Sequence, residues 1–270
     1  MAAASPLAPL AVRGGAARPG SRLWLAWAAI FYCASVLTTQ PIFIADTVIF
    51  AADALRVRTG AARPEALWEF GHLLWRPLAW ALTPVFLKAA PAGVAPAASL
   101  KIVWGLYGVN LVSGLAVALG MTDLLRRITR SRLAMGAALV ILIWGAAFLS
   151  YAQSGASYIP ALALLVVALW WTVAGRGSPL ARAAVAGVLL ALSALFWFPF
   201  VLAFPAVAVA PLFFGPASPD RRWREPLLTV AIGGVVLAGM IVAGSVAAGF
   251  RLGPSPPTPA SGGRASAASP

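Results

Sequence analysis

The feature that most limits what this chain can become is the recurrence of long apolar runs. They fall near Leu23–Ile44, Ile102–Leu124, Leu133–Ser150, Tyr158–Ala174, Ala183–Trp197, Phe200–Phe214 and Leu227–Phe250. About 20 apolar residues coiled as a helix span roughly 30 Å, the thickness of a bilayer's hydrocarbon core. Lipid offers the backbone no hydrogen-bond partner, so only helices and closed barrels cross it, and uniformly apolar runs select helices. With 61% hydrophobic and 10% charged residues, the expected fold is all-α. It is a polytopic transmembrane bundle of about seven spans, each run being one bilayer crossing. The stretch 183–214 is interrupted by Pro199 and Pro205 and reads as two helices joined by a tight turn.

The formal net charge of +13 would suggest nucleic acid in a soluble protein. Here the arginines sit in short clusters between apolar runs, where the positive-inside rule puts cytoplasmic loops, so nucleic acid is excluded as a partner. Three clusters matter most: "RRITRSR" (126–132), "RGSPLAR" (176–182) and "DRRWRE" (220–225). They share one side with Arg13, Arg18 and Arg22 only if Pro77–Leu87 does not cross. That stretch is therefore expected to be an interfacial or re-entrant helix on the outer side, with the N-terminus cytoplasmic. Residues 1–22 read as a disordered basic lead, 23–250 as the transmembrane module and 251–270 as a low-complexity tail. Cys33 is the single cysteine and lies in an apolar run, so no disulfide or cysteine metal site is expected.

The segment 45–101 reads as one large outer loop of juxtamembrane helices. Of the seven acidic residues, Asp46, Asp53, Glu65 and Glu69 lie in it, with His72, Arg56, Arg58, Arg63 and Arg76. Asp123, Asp220 and Glu225 stand beside basic loops and read as ordinary charge partners. "ADTVIFAADALRV" has the pattern of an amphipathic helix starting at the membrane surface, with Asp46 and Asp53 on one face. Asp46 fits two roles: an N-cap, or a general base acting on a substrate hydroxyl or amine. Glu69 and His72 stand three apart, so a helical turn would let one orient the other. His72 suits proton transfer or phosphate binding, or is a polar tip among aromatic neighbours. Arginines in an outer loop run against the charge rule. They are either a solvated face or a phosphate-recognition set, with Arg76 beside Trp75 and Pro77 the first candidate and Arg56 and Arg58 supporting it. Two carboxylates and a histidine would suit a divalent cation, but no compact ligand motif is present. The second outer loop, "YAQSGASY", is uncharged and rich in hydroxyl and amide groups.

The order of "ADTVIF", "GHLLWRPLAW" and "AGVLLALSALFWFPFVLAFPAVAVAPLFF" resembles the GT-C class of integral-membrane glycosyltransferases, which includes protein O-mannosyltransferases and the aminoarabinose transferase of lipid A. That class opens its first outer loop with a catalytic Asp, carries a His-Pro-Pro phrase on a juxtamembrane helix and has a Gly-rich helix leading into a Pro-bearing partner. The resemblance implies a donor sugar on a polyprenyl phosphate, an unidentified acceptor and inverting transfer on the outer face of a bacterial cytoplasmic membrane. Asp46 would be catalytic; Arg76, His72, Arg56 and Arg58 would bind the donor phosphate, supported by Asp53 and Glu69. The chain departs from the pattern in three ways. His72 and Pro77 are separated in "HLLWRP"; "YAQSGASY" lacks the acid often found there, which bears on metal use; and after the seventh run comes a Pro/Ser/Ala tail, so the resemblance reaches only the N-terminal transmembrane module. A non-catalytic membrane subunit, or a truncated inactive relative, is the alternative. A flippase or transporter would need ionisable residues along the spans, and these are nearly free of charge.

Overall fold

The computed structural model describes residues 21–89, 98–129, 131–175, 177–214 and 223–248. Among them all regular structure is helical. Three helices are long and apolar enough to cross a membrane: α4 (Ala98–Ile128), α8 (Pro179–Phe196) and α10 (Arg224–Ala247). The pair α5 (Arg132–Trp144) and α6 (Ala146–Ala152), bent by 53° at Gly145, makes a fourth if counted as one span. Shorter apolar helices are α1 (Ser21–Leu37), α7 (Tyr158–Ala174) and α9 (Phe204–Phe214), the last preceded by a 3-10 helix at Phe198–Ala203.

The first run ends earlier than its composition suggests. α1 stops at Leu37 because Thr38 and Thr39 turn their hydroxyls back onto the carbonyls of Ala34 and Ser35, and Gln40 precedes Pro41. A residue before proline is pushed out of the helical region, and residues 40–44 have no regular structure. The Ile42 N–H donates to the Gln153 carbonyl (3.2 Å), which ties this piece to the turn before α7.

α2 (Ala45–Arg58) buries residues at helical spacing but is less amphipathic than expected, since Val48 and Ile49 are exposed. Thr47, Phe50, Ala51 and Ala54 are its buried face, packed with Trp75 and Ala79 of α3 (Trp75–Ala89) and Ile102, Val103 and Leu106 of α4. α3 is not among the apolar helices of spanning type. A second core joins α1, α4, α6 and α7 through Tyr32, Val117, Phe148 and Ile159. A third joins α8, α9 and α10 through Leu190, Phe204 and Leu237.

α8 and α10 pack in close contact. A Cβ on Gly187 would stand 2.8 Å from the Thr229 carbonyl oxygen, and one on Gly233 would stand 3.0 Å from the Gly187 carbonyl oxygen. The two backbones touch, as the runs of small residues in both helices allow. At the arginine-rich end of this pair, Arg182 Nε and Nη2 donate to both Glu225 carboxylate oxygens (2.9 and 2.6 Å), and Glu225 is 3% exposed. Glu225 is thus a buried interhelical partner and not an ordinary surface charge. Burial forces it to meet a cation, and the one it meets is 43 residues back in sequence. Asp123 does pair locally, with Arg126 and Arg127, and accepts a further bond from Trp170 Nε1 (2.8 Å). Asp220 lies outside the described residues.

Candidate functional site

At the opposite end from Arg182 and Glu225, α2, the segment 59–74 and the start of α3 cover the ends of the apolar helices. The turn between α6 and α7, residues 153–157, rises into this cover. Gly155 has φ of +73°, and a Cβ there would come 2.8 Å from Thr47 Cγ2 and 3.2 Å from the Tyr107 nitrogen. Only glycine combines that left-handed backbone with so close an approach. The Thr47 hydroxyl donates to the Ser154 carbonyl (2.6 Å), fastening α2 to the turn. Below it Asn110 Nδ2 donates to the Tyr151 carbonyl (2.8 Å), and Gln153 Nε2 to the Thr39 hydroxyl (2.5 Å).

Asp46 stands in the first turn of α2 but does not cap it. The cap position is Ile44, which offers no side-chain acceptor. The carboxylate still gains from the positive end of the helix dipole. Among the described residues it forms neither a hydrogen bond nor an ion pair, and it lies near enough to Tyr158 for its charge to act on the phenol. Asp53, two turns on and about 10 Å along the axis, has a different job, because its carboxylate meets Arg76.

Arg76 is the hub of this region. Nη1 lies 3.0 Å from Asp53 Oδ2 and donates to the Ala66 carbonyl (3.0 Å), while Nη2 lies 2.8 Å from Glu69 Oε2. Its guanidinium also covers the Phe50 ring at 5.0 Å. One arginine at the start of α3 therefore ties α2 to the segment 66–69. Among the described residues its buried Nε has no partner. As a phosphate ligand it would have to release acids it already holds.

Glu69 does not orient His72. Gly71, at φ +102°, reverses the chain between them, so the helical three-residue spacing is never realised. The Glu69 carboxylate turns to Arg76, and the link to His72 is only backbone, His72 N–H to Glu69 carbonyl (3.2 Å). His72 is instead held from across the fold. Its Nδ1 is 2.7 Å from Ser157 Oγ and 3.2 Å from the Phe196 carbonyl oxygen. A carbonyl can only accept, so the neutral ring that satisfies both contacts carries its proton on Nδ1 and shares it between them. That leaves Nε2 as a hydrogen-bond acceptor. Phe50 (5.7 Å) and Tyr158 (6.1 Å, edge-on) flank the ring.

Arg56 and Arg58 are exposed in the last turn of α2, and Arg58 covers the Trp80 ring at 5.6 Å. Ser157, Tyr158 and the Phe196 carbonyl are the parts that sequence reasoning did not attach to His72. The hydroxyl-rich "YAQSGASY" was the available signal, but nothing local says which histidine it faces. Tyr158 continues into an aromatic row through Trp197 (4.9 Å) and Phe200 (4.8 Å). Among the described residues no three of His, Cys, Asp and Glu gather as metal ligands.

The end of the bundle therefore presents a carboxylate without a partner among the described residues, an imidazole acceptor, hydroxyls and aromatic edges, with two exposed arginines one helix length away. Such a set can accept a proton from a hydroxyl and bind a polyhydroxylated ring. The chain matches no known family profile, no curated protein and no solved structure.

Proposed function

We propose that the chain is a GT-C-like membrane glycosyltransferase module that transfers a sugar from a polyprenyl phosphate to an acceptor at the outer membrane surface. Its seven crossings would be α1, α4, the bent α5–α6 pair, α7, α8, the 3-10 helix with α9, and α10. The N-terminus would be cytoplasmic, in a bacterial inner membrane. The observation that carries the reading is Asp46. It is a carboxylate with no partner among the described residues, in the first turn of a helix lying over the ends of apolar helices, on the end where His72, Ser157 and Tyr158 meet. A base so placed would take the proton of an acceptor hydroxyl while its oxygen attacks the anomeric carbon and the lipid phosphate departs. His72 Nε2 and the Tyr158 edge would hold the sugar. Arg56 and Arg58, exposed, would meet the phosphate, and Arg76 would act by keeping α2 and α3 together.

The test is transfer from a polyprenyl-phosphate sugar in vesicles containing the full chain. Asp46→Asn is expected to lower the rate by about 10²–10⁴-fold, the usual contribution of a positioned base, with unfolding unchanged. Wild-type rates in Asp46→Asn would sink the assignment. One observation favours the second reading, a non-catalytic membrane subunit: Arg76, the best-formed phosphate fork of the region, is already taken by the chain's own acids. On that reading no polyprenyl-linked sugar is consumed, and Asp46→Asn changes nothing.

A further inference from the structure

Away from the site just described, α1 and α5 leave a groove of about 280 Å³ between them, lined by Leu23, Trp24, Trp27, Gly136 and Val140. Every lining side chain is apolar or aromatic. The space at Gly136 is open, since a Cβ there would meet nothing nearer than the Trp24 ring at 3.9 Å. The indole wall is braced from behind. Trp27 stacks on Phe31 (5.0 Å) and Phe31 on Trp144 (5.9 Å). The groove is therefore built from rings held in place and not from side chains free to fill it.

Its mouth has a charge. Both helices begin at this end, α1 at Ser21 and α5 at Arg132, so both present the positive ends of their dipoles. Arg22 adjoins the lining residue Leu23. Arg132 stands one turn before Gly136, on the same face of α5. Both arginines are exposed, and among the described residues neither forms an ion pair.

We infer that this groove seats one anionic phospholipid, its acyl chain against Trp24, Trp27 and Gly136 and its phosphate between Arg22 and Arg132. An inorganic phosphate would make no use of the apolar lining, and a plain hydrocarbon no use of the arginines. A zwitterionic lipid would bring its ammonium toward two cations and two positive helix ends. The inference stands apart from the glycosyltransferase reading and survives its failure.

The test uses the full chain in mild detergent, given equal amounts of phosphatidylglycerol and phosphatidylcholine of the same acyl composition, with retained lipids counted by native mass spectrometry. Phosphatidylglycerol is expected to be retained preferentially, by roughly fivefold for each arginine engaged. Gly136→Leu, and separately Val140→Phe, fill the groove from different turns of α5 and should each remove one retained lipid. Arg22→Gln with Arg132→Gln should bring the two lipids to parity. Val235→Leu, on the exposed face of α10, should change nothing. Equal retention of the two lipids by the wild-type chain would overturn the inference. So would an undiminished lipid count in both groove-filling variants.

Discussion

Arg76 offers the sharpest test of how the cover of α2, the segment 59–74 and α3 is held. Its two acid partners look alike in a distance list, at 3.0 Å for Asp53 and 2.8 Å for Glu69, but their surroundings differ. The Asp53 side chain is 19% exposed and the Glu69 side chain 42%, against 15% for Arg76. An ion pair between two mostly covered groups is little screened by water and couples them by about 0.5–3 kcal/mol. A pair with one well-solvated partner is screened by water and is worth about 0–1 kcal/mol. Two double-mutant cycles separate the pairs: Arg76→Gln with Asp53→Asn, and Arg76→Gln with Glu69→Gln. Each is read by reversible unfolding in mixed micelles of dodecyl maltoside and dodecyl sulfate. The coupling energy should be about 2 kcal/mol in the first cycle and below about 0.5 kcal/mol in the second. Asp53→Asn should also speed amide exchange across α2, because the brace holding it to α3 is gone. A Glu69 coupling equal to or larger than that of Asp53 would refute the argument from burial. No coupling in either cycle would mean that Arg76 is not a brace at all, and its role as a free phosphate fork would return.

Three further outcomes are expected. Glu225→Ala strands Arg182 in a buried site and should cost about 3–5 kcal/mol in the same unfolding assay, whereas Arg182→Leu with Glu225→Leu should recover most of the loss; a double variant no better than the single one contradicts this. Gly187→Leu must push α8 off α10, where backbone meets backbone, and should cost at least about 1–3 kcal/mol, seen as a lower midpoint; an unchanged midpoint means that the helices are not in contact. His72 is the only histidine, so its ring nitrogens can be observed by ¹⁵N NMR without assignment. The neutral ring should show the Nδ1–H tautomer, with Ser157→Ala shifting the balance toward Nε2–H; a wild-type ring already in the Nε2–H form would show the Phe196 contact to be wrongly read.

Helices and their burial were legible here because both are written locally. The period of the α2 stripe of Thr47, Phe50, Ala51 and Ala54 is helical, and α4 and α10 announce themselves by length. Breaks were less legible. The first apolar run continues past Leu37 in composition, yet two threonines and Pro41 end its helix, and Gly145 bends what looks like one continuous stretch. Pairings were not legible at all. His72 and Ser157 are 85 residues apart, and Arg182 and Glu225 are 43 apart. Nothing in a local window distinguishes an acid destined for a buried guanidinium from one beside a surface loop. The i, i+3 spacing of Glu69 and His72 misled for a related reason: helical spacing means something only where the chain is a helix, and Gly71 ensures that it is not.

The separation of Arg182 from Glu225 also has a temporal side. During synthesis the arginine emerges first, and its partner follows 43 residues later, roughly two to nine seconds at ordinary elongation rates. Through that interval the guanidinium lacks its carboxylate partner and is stabilised by staying hydrated. The buried ion pair can close only once α10 has been made, so the chain's own order of manufacture sets when the two glycine faces can meet.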